Sequence, residues 1–167
     1  PLRRPPRAQG VPDDPLARPT ARLTPLGQVV LGDPQGYKGP EIRDAGGAAG
    51  LKKDAEAAGI DLYVHAPYIV NVATTNNRIR IPSRKLLQQH MDAAAEIGAK
   101  GLIVHGGYVN KTDDPATGFD NWRKAIEATD IKIPVRIENT AGCENAMARQ
   151  LDRIAGEWAI GRGQAGD

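Results

Sequence analysis

The stretch LIVHGGYV, residues 102–109, passes directly from three apolar residues to a histidine and then to two glycines. The related stretch LYVHAPYI, residues 62–69, has the same order of an apolar run, a histidine and a loop-forming residue soon after. Short apolar runs that end in Gly or Pro are typical of buried strands. We interpret the two stretches as two strands of one sheet, each with an imidazole at its carboxyl end.

Helical and strand-like segments alternate along the rest of the chain. Ser83 is a candidate N-cap of the longest helix, and Gly98 a candidate stop signal for it. Strands that alternate with helices in this way indicate an α/β fold with a parallel sheet. The predicted helices cover 48–58, 83–97, 119–128 and 144–158, and the predicted strands end near 30 and cover 60–68, 101–108 and 133–142.

The spacing of three polar residues follows this alternation. His65, His105 and Glu138 each end a successive predicted strand, about one βα unit apart. The carboxyl ends of parallel strands share one face of a sheet or barrel, so we expect the three side chains to converge there. Two imidazoles and a carboxylate suit zinc or a similar divalent ion. Gly106 and Gly107 would let the backbone turn and leave room for a substrate.

Each of these residues could also have a purely structural role. A single strand-end histidine is more often a hydrogen-bonded structural residue than a ligand, and the convergence of three groups is what favours chemistry. His90 lies in the middle of a predicted helix and is interpreted as structural or solvent-facing. Tyr68 and Tyr108 follow the two histidines, and they would either contact a substrate or pack their loops. Core packing is the interpretation for Trp122.

The N-terminal segment, residues 1–28, differs from the remainder of the chain. Nine of the thirteen prolines lie in the first forty residues, and neither helical nor strand periodicity is present there. Such a segment buries too little apolar surface to offset the entropy of ordering it, so we predict that 1–28 is disordered. It carries five Arg against two Asp, whereas the remainder has 17 basic and 18 acidic residues. Net charge is therefore no argument for nucleic-acid binding by the body of the protein.

Composition also bears on the compartment. Cys143 is the single cysteine, which excludes an internal disulfide framework and fits a reducing cytosol. No apolar run has the length of a membrane span or of a signal peptide. We expect a cytoplasmic protein with no membrane association.

Several stretches carry a resemblance to a known family. IENTAG preceded by two strand-end histidines is the most specific combination, and the resemblance covers residues 29–158. The chain resembles endonuclease IV of the actinobacterial type, a zinc-dependent deoxyribonuclease of base-excision repair. The matching stretches are HAPYIVN at 65–71, MDAAAEIGAKGLIVHGGYV at 91–109, GFDNWRKAIEA at 118–128, RIENTAG at 136–142 and ENAMARQLDRIA at 144–155.

The resemblance implies a TIM barrel with a trinuclear zinc site that cuts the DNA backbone on the 5′ side of an abasic site. It implies that His65 and His105 bind the first zinc ion and that Glu138 bridges the first and second as a catalytic group. Tyr68, and less directly Gln35, match residues that enter the DNA. The implied partner is double-stranded DNA with abasic sites, with no obligate protein partner, and the clustered zinc ions would generate the attacking hydroxide.

The departures from the family concern both ends of the chain. Residues 1–28 resemble nothing in the family, and 159–167 form an irregular tail where the family has further zinc ligands. We therefore expect a partial TIM barrel of three to four βα units, with ligands for the first zinc ion and half of the second, as a truncated or frameshifted reading frame would give. Two alternatives stay open: a catalytically inactive remnant with at most one zinc ion, and a metal-dependent sugar isomerase-like barrel.

Overall fold

The computed structural model of the protein describes residues 25–139 and 145–149. All strands of its four-stranded sheet are parallel, in the order β1-β2-β3-β4. Each strand is joined to the next through a helix, so the predicted alternation and the parallel sheet are confirmed. The elements are β1 (Leu26–Val30), α1 (Gly47–Ala57), β2 (Asp61–His65), α2 (Asn77–Glu96), β3 (Leu102–His105), α3 (Pro115–Glu127) and β4 (Val135–Glu138).

The two faces of the sheet have different environments. One face is apolar, and it forms a single core with the helices; we call it the helix-covered face. Its strand residues include Val29, Leu62, Val64, Leu102 and Val104, of which Val29 is the most exposed at 8%. The alternate residues of the same strands point to the opposite face, because successive side chains of a strand alternate. We call this second face the site face.

The start of β1 lies close to the predicted domain boundary. Most of the segment 1–28 lies outside the described residues, so its predicted disorder stays a prediction. β1 begins at Leu26, and the last three residues of that segment therefore already pair with β2, Leu26 opposite Asp61. The predicted strand end near residue 30, followed by a loop, is confirmed.

The predicted start of the longest helix at Ser83 is wrong. α2 begins at Asn77, and the side chain of Asn76 caps it by accepting a hydrogen bond from the Arg78 amide at 3.0 Å. The residues before Ser83 include Asn77, Arg78, Arg80 and Pro82, so the helical pattern is weaker there than after Ser83. Ser83 is instead fully buried within α2, where its Oγ accepts a hydrogen bond from the Asn71 amide at 2.9 Å. Gly98, with φ 71°, follows the helix end as predicted.

The helix α3 begins at Pro115, four residues before the predicted start at 119. Asp114 caps it by accepting from the Ala116 amide at 2.9 Å, and Pro115 occupies the first turn, where its missing N–H costs nothing. Trp122 is 2% exposed, which confirms its predicted core packing. No helix within 25–139 or 145–149 is long and apolar enough to cross a membrane.

The predicted helix over 144–158 is wrong for the part that the structure describes. Residues 145–149 form turns, and Ala146 makes an antiparallel bridge with Tyr108. Met147 is fully buried, so its side chain packs in the core without belonging to a helix. The backbone hydrogen bond from the Met147 amide to the Gly107 carbonyl, at 2.9 Å, is one cause of this non-helical arrangement. Cys143, the remainder of that helix and the tail 159–167 lie outside the described residues.

Candidate metal centre

Three predicted side chains meet at the carboxyl edge of the sheet. His65, His105 and Glu138 are the last residues of β2, β3 and β4, and one ligand atom of each lies within 4.8 Å of the other two. Strand register produces this: Ile103 lies opposite His65, His105 is the next residue on the same face, and Glu138 lies opposite His105. The three side chains therefore converge as the spacing predicted, and their role as metal ligands stays a prediction.

The orientation of His65 is fixed by its own strand. Its Nδ1 lies 2.7 Å from the carbonyl oxygen of Ala66, which can only accept, so Nδ1 carries the proton. Nε2 lies 2.9 Å from Glu138 Oε2, a distance at which either a proton or a metal ion lies between the two atoms. A histidine whose second nitrogen donates to a carbonyl in this way is typical of metal sites.

The third group, His105, has an unpartnered nitrogen. Its Nε2 is buried, and it makes no hydrogen bond to any residue that the structure describes, since Glu138 Oε2 at 3.5 Å lies outside hydrogen-bonding geometry. Burial lowers the pKa of His105 below its ordinary value and His65 adds to this, whereas Glu138 opposes it. The imidazole is therefore held neutral near pH 7, and its Nε2 lies in the same space as the ligand atoms of the other two groups.

The donor set fits a divalent ion. Nitrogen and oxygen ligands lie about 2.0–2.1 Å from a tetrahedral zinc ion, which places two ligands about 3.3 Å apart. The contacts of Glu138 Oε2 with His65 and His105, at 2.9 and 3.5 Å, lie on either side of that value. Only small side-chain shifts would therefore admit an ion, and the orphaned Nε2 of His105 would gain a partner.

Two roles were predicted for the glycines after His105, a backbone turn and room for a substrate, and the structure supports only the first. The sharp turn is confirmed, because Gly107 has φ 72°, a left-handed conformation that favours glycine. The space beside the glycines, however, is not left for a substrate. A Cβ on Gly106 would lie 2.6 Å from the Ala148 Cβ, and one on Gly107 would lie 2.3 Å from Asn71 Oδ1. Neighbouring parts of the chain fill that space.

An aromatic pocket of about 330 Å³ is lined in part by His105, one of the three candidate ligands. Tyr68, 62% exposed, has its ring centroid 5.6 Å from His65 and 5.2 Å from His105. Tyr37 and Tyr108 line the same pocket and are exposed as well. Three exposed tyrosines around one cleft form a surface on which flat or apolar groups of a ligand can pack.

The loops after β1 and β2 are joined beside this pocket. The Tyr68 amide donates a hydrogen bond to the Pro34 carbonyl at 2.8 Å. Gln35, the next residue, is exposed, and its amide bonds to Asp33 Oδ1 at 2.9 Å. Gln35 therefore lies in a loop tied to Tyr68 but does not line the pocket. Its predicted contact with DNA, like that of Tyr68, stays a prediction.

Two residues of the site were not predicted from the sequence. Tyr37 lies two positions after Gln35 in the DPQGYK loop, and an aromatic residue between glycines there was an available signal. Asn71, the last residue of HAPYIVN, is 4% exposed and joins the loops after β2 and β3. Its position within a resembling stretch was a signal, but hydrogen bonds between loops distant in sequence are not visible in a linear pattern.

Comparison with known proteins places this geometry in a family. The sequence profile of the xylose isomerase-like TIM barrel family matches residues 28–158. The chain belongs to that family. It is also 50% identical over 149 residues to proteins named "Probable endonuclease 4" from Mycobacterium marinum and Mycobacterium tuberculosis, and 48% identical over 147 residues to that of Mycobacterium leprae. The resemblance to endonuclease IV is thereby confirmed.

The matches cover most of this chain but only about half of the proteins to which it is similar. The match covers 89% of this chain but 57% of the Mycobacterium marinum protein, so the chain spans little more than half the length of that relative. Among solved structures, endonuclease IV from Thermus thermophilus superposes with a TM-score of 0.70 at 21% identity, over 85% of this chain and 51% of the other. A D-tagatose 3-epimerase-like protein gives 0.64 at 16% identity, over 83% and 52%. The fold, part of a TIM barrel, is as predicted.

Proposed function

We propose that this chain contributes to a zinc-dependent endonuclease that hydrolyses the DNA phosphodiester on the 5′ side of an abasic site. The observation that carries the proposal is the convergence of His65, His105 and Glu138 at the ends of three adjacent strands. The names of the mycobacterial relatives, at 50% identity, direct that metal chemistry toward DNA cleavage.

His65 and His105 would hold the first zinc ion through Nε2. Both contacts of Glu138 with the histidines involve Oε2, and this carboxylate would hold a second ion as well as the first. Bound zinc would supply an activated hydroxide and polarise the phosphate. The contribution of the chain is to hold both imidazoles at the ends of paired strands, with burial lowering the pKa of His105 so that it stays neutral.

The aromatic pocket would receive DNA beside the metal. Tyr68 lies against both histidines and is largely exposed, so it can stack on a base or fill the gap at a missing base. Gln35 projects from the loop hydrogen-bonded to Tyr68 and would contact the same DNA segment. Recognition would thus use neutral side chains at the lesion, in agreement with a body of the protein that carries no excess of positive charge.

Two alternatives make different predictions. A sugar isomerase-like enzyme is favoured by the structural likeness to a D-tagatose 3-epimerase-like protein, but that likeness at 16% identity concerns the fold alone. An inactive protein with at most one zinc ion would keep the same three ligands without hydrolysing DNA. Elemental analysis separates this case from a trinuclear centre, which would give about three zinc ions per chain.

The test is incision of a duplex oligonucleotide with one synthetic abasic site by the zinc-loaded chain. We expect 5′ incision by the wild type and a loss of more than about 100-fold in His105→Ala, because a ligand contributes more than the 10–100-fold typical of its supporting groups. His90→Asn is the matched control, since His90 is buried in α2 away from the site and should leave incision intact. Folded, zinc-bound wild type without incision would contradict the proposal and favour the inactive alternative.

A further inference from the structure

The turn that follows His105 is hydrogen-bonded to one buried side-chain amide from another loop. Asn71 donates from Nδ2 to the Tyr108 carbonyl at 3.0 Å, and its Oδ1 accepts from the Tyr108 amide at 3.2 Å. Both backbone groups of Tyr108 are therefore bonded to a single side chain, much as they would be to a neighbouring strand. The same Oδ1 accepts from the Thr74 amide at 3.2 Å, so Asn71 also fixes its own loop.

The packing leaves Asn71 little freedom. The residue is 4% exposed, and its backbone amide donates to Ser83 Oγ at 2.9 Å, which ties the loop to α2. Gly107 admits it closely, because a Cβ at that position would lie 2.3 Å from Asn71 Oδ1. The side-chain amide thus occupies the inside of the turn between His105 and Tyr108, where a Cβ at position 107 would have no room.

We propose that Asn71 is a positioning residue of the metal centre, which sets the direction of the His105 imidazole by clamping the peptide of Tyr108. The inference rests on the metal site of the proposed function. His105 is the last residue of β3, so the path of the chain beyond it decides how its backbone leaves the strand. The loop that carries Asn71 begins directly after His65, and the clamp therefore also fixes the two strand ends relative to each other.

Other contacts hold the turn itself, and the next contact between the two loops lies farther from His105, where Asn110 Nδ2 donates to Thr75 Oγ1 at 3.0 Å. Trp122 Nε1 donates to the Gly106 carbonyl at 2.7 Å from α3, and the Met147 amide donates to the Gly107 carbonyl at 2.9 Å. Asn71 alone among the described residues joins Tyr108 to the loop after β2 by side-chain hydrogen bonds. Removing it should release the turn from the His65 side of the site while the other anchors remain.

A matched control exists in Asn121. It is also a buried asparagine, and its Nδ2 donates to the carbonyls of Ala73 at 2.9 Å and Thr74 at 3.2 Å. It therefore holds the same loop without touching the turn after His105. Asn71→Ala and Asn121→Ala should lower stability by similar amounts, since each leaves buried backbone groups unsatisfied.

The decisive measurement is zinc affinity by competition with a chelating dye, at a temperature where both variants are folded. We expect Asn71→Ala to bind zinc about tenfold more weakly than the wild type, within the range found for groups that support a ligand. Asn121→Ala should match the wild type. The visible spectrum of bound Co²⁺ should also change in Asn71→Ala alone, because it reports ligand geometry directly.

A second measurement needs no metal. Amide hydrogen exchange at Tyr108 should accelerate in Asn71→Ala, which loses the acceptor of that amide, and stay slow in Asn121→Ala. Unchanged zinc affinity in Asn71→Ala, or an equal loss in both variants, would overturn the positioning role. If the wild type bound no zinc, the proposed function would fail and with it any role at a metal, whereas exchange at Tyr108 would still decide whether Asn71 holds the turn.

Discussion

The helix-covered face and the site face of the sheet are built from alternate residues of the same four strands. On β3, Leu102 and Val104 are fully buried against the helices, whereas Ile103 and His105 on the site face are each only partly buried. β4 ends in the same way, with Glu138 on the site face 43% exposed in its side chain. One face thus consists of close-packed apolar side chains, and the other carries the groups able to bind an ion.

The difference shows how a small fold separates stability from chemistry. Because the side-chain period of a strand is two, a residue and its neighbour in sequence belong to different faces. Each strand can therefore be anchored by its buried residues on one face while its last residue belongs to the site face. Substitutions on the helix-covered face should act on folding, and those on the site face on binding.

The largest expected effect is on stability and contrasts two adjacent residues. Leu102→Ala should lower the free energy of unfolding by about 3 kcal/mol, because it removes a fully buried side chain and leaves a cavity. Ile103→Ala, on the site face, should lower it by only about 1 kcal/mol. Urea titration of both variants measures the two values. Equal losses would mean that the site face is as well packed as the other.

An effect on binding alone is expected at Tyr68. Tyr68→Ala should change the free energy of unfolding by less than about 0.5 kcal/mol, since the side chain is 62% exposed. It should weaken binding to abasic duplex DNA about tenfold, from the loss of one aromatic stacking surface. Ile81→Ala is the control, because Ile81 is equally exposed, at 64%, but lies on α2 outside the pocket. Fluorescence anisotropy gives the affinities; a similar loss in Ile81→Ala would point to non-specific adhesion.

The smallest effect is a pH dependence from the histidine on the helix side. His90 is fully buried and burial lowers its pKa below the ordinary 6.5, whereas the carbonyls of Leu86 and Leu31 oppose the shift. Leu86 accepts from Nδ1 at 3.0 Å, while Leu31 lies outside hydrogen-bonding geometry of Nε2. Below about pH 6.5 the unfolded chain binds a proton that folded His90 resists, so stability falls as pH falls.

His90→Asn removes this contribution while its amide can still donate to the Leu86 carbonyl. The difference in the free energy of unfolding between the wild type and the variant should therefore be constant above about pH 6.5 and become smaller below it. Urea titrations at about pH 7.5 and about pH 5.5 measure the difference. A gap that stayed the same at both values would show that His90 takes up its proton as readily in the folded protein as in the unfolded chain.

The sequence was sufficient for the parts of the structure that depend on local periodicity. The apolar runs before His65, His105 and Glu138 predicted three strands, and the spacing of one βα unit placed their ends at one edge. Burial of Trp122 followed in the same way from its place on a helix stripe. These outcomes depend on patterns of two and 3.6 residues, which tertiary contacts reinforce.

The errors arose where tertiary contacts replace the local signal. Ser83 has the chemistry of an N-cap, but its hydroxyl bonds to a loop amide and the helix starts six residues earlier. Residues 145–149 have a helical pattern, yet Ala146 pairs with Tyr108 and the chain forms turns there. The partner that decides each case lies at least twelve residues away, and no pattern within the segment itself identifies it.

The hydrogen bond from the Tyr68 amide to the Pro34 carbonyl has a mechanical consequence. It links the loop after β1, at Pro34, to the loop after β2, at Tyr68, so an outward displacement of one loop has to break this bond or move the other loop with it. We therefore expect the two loops at this rim of the pocket to move together.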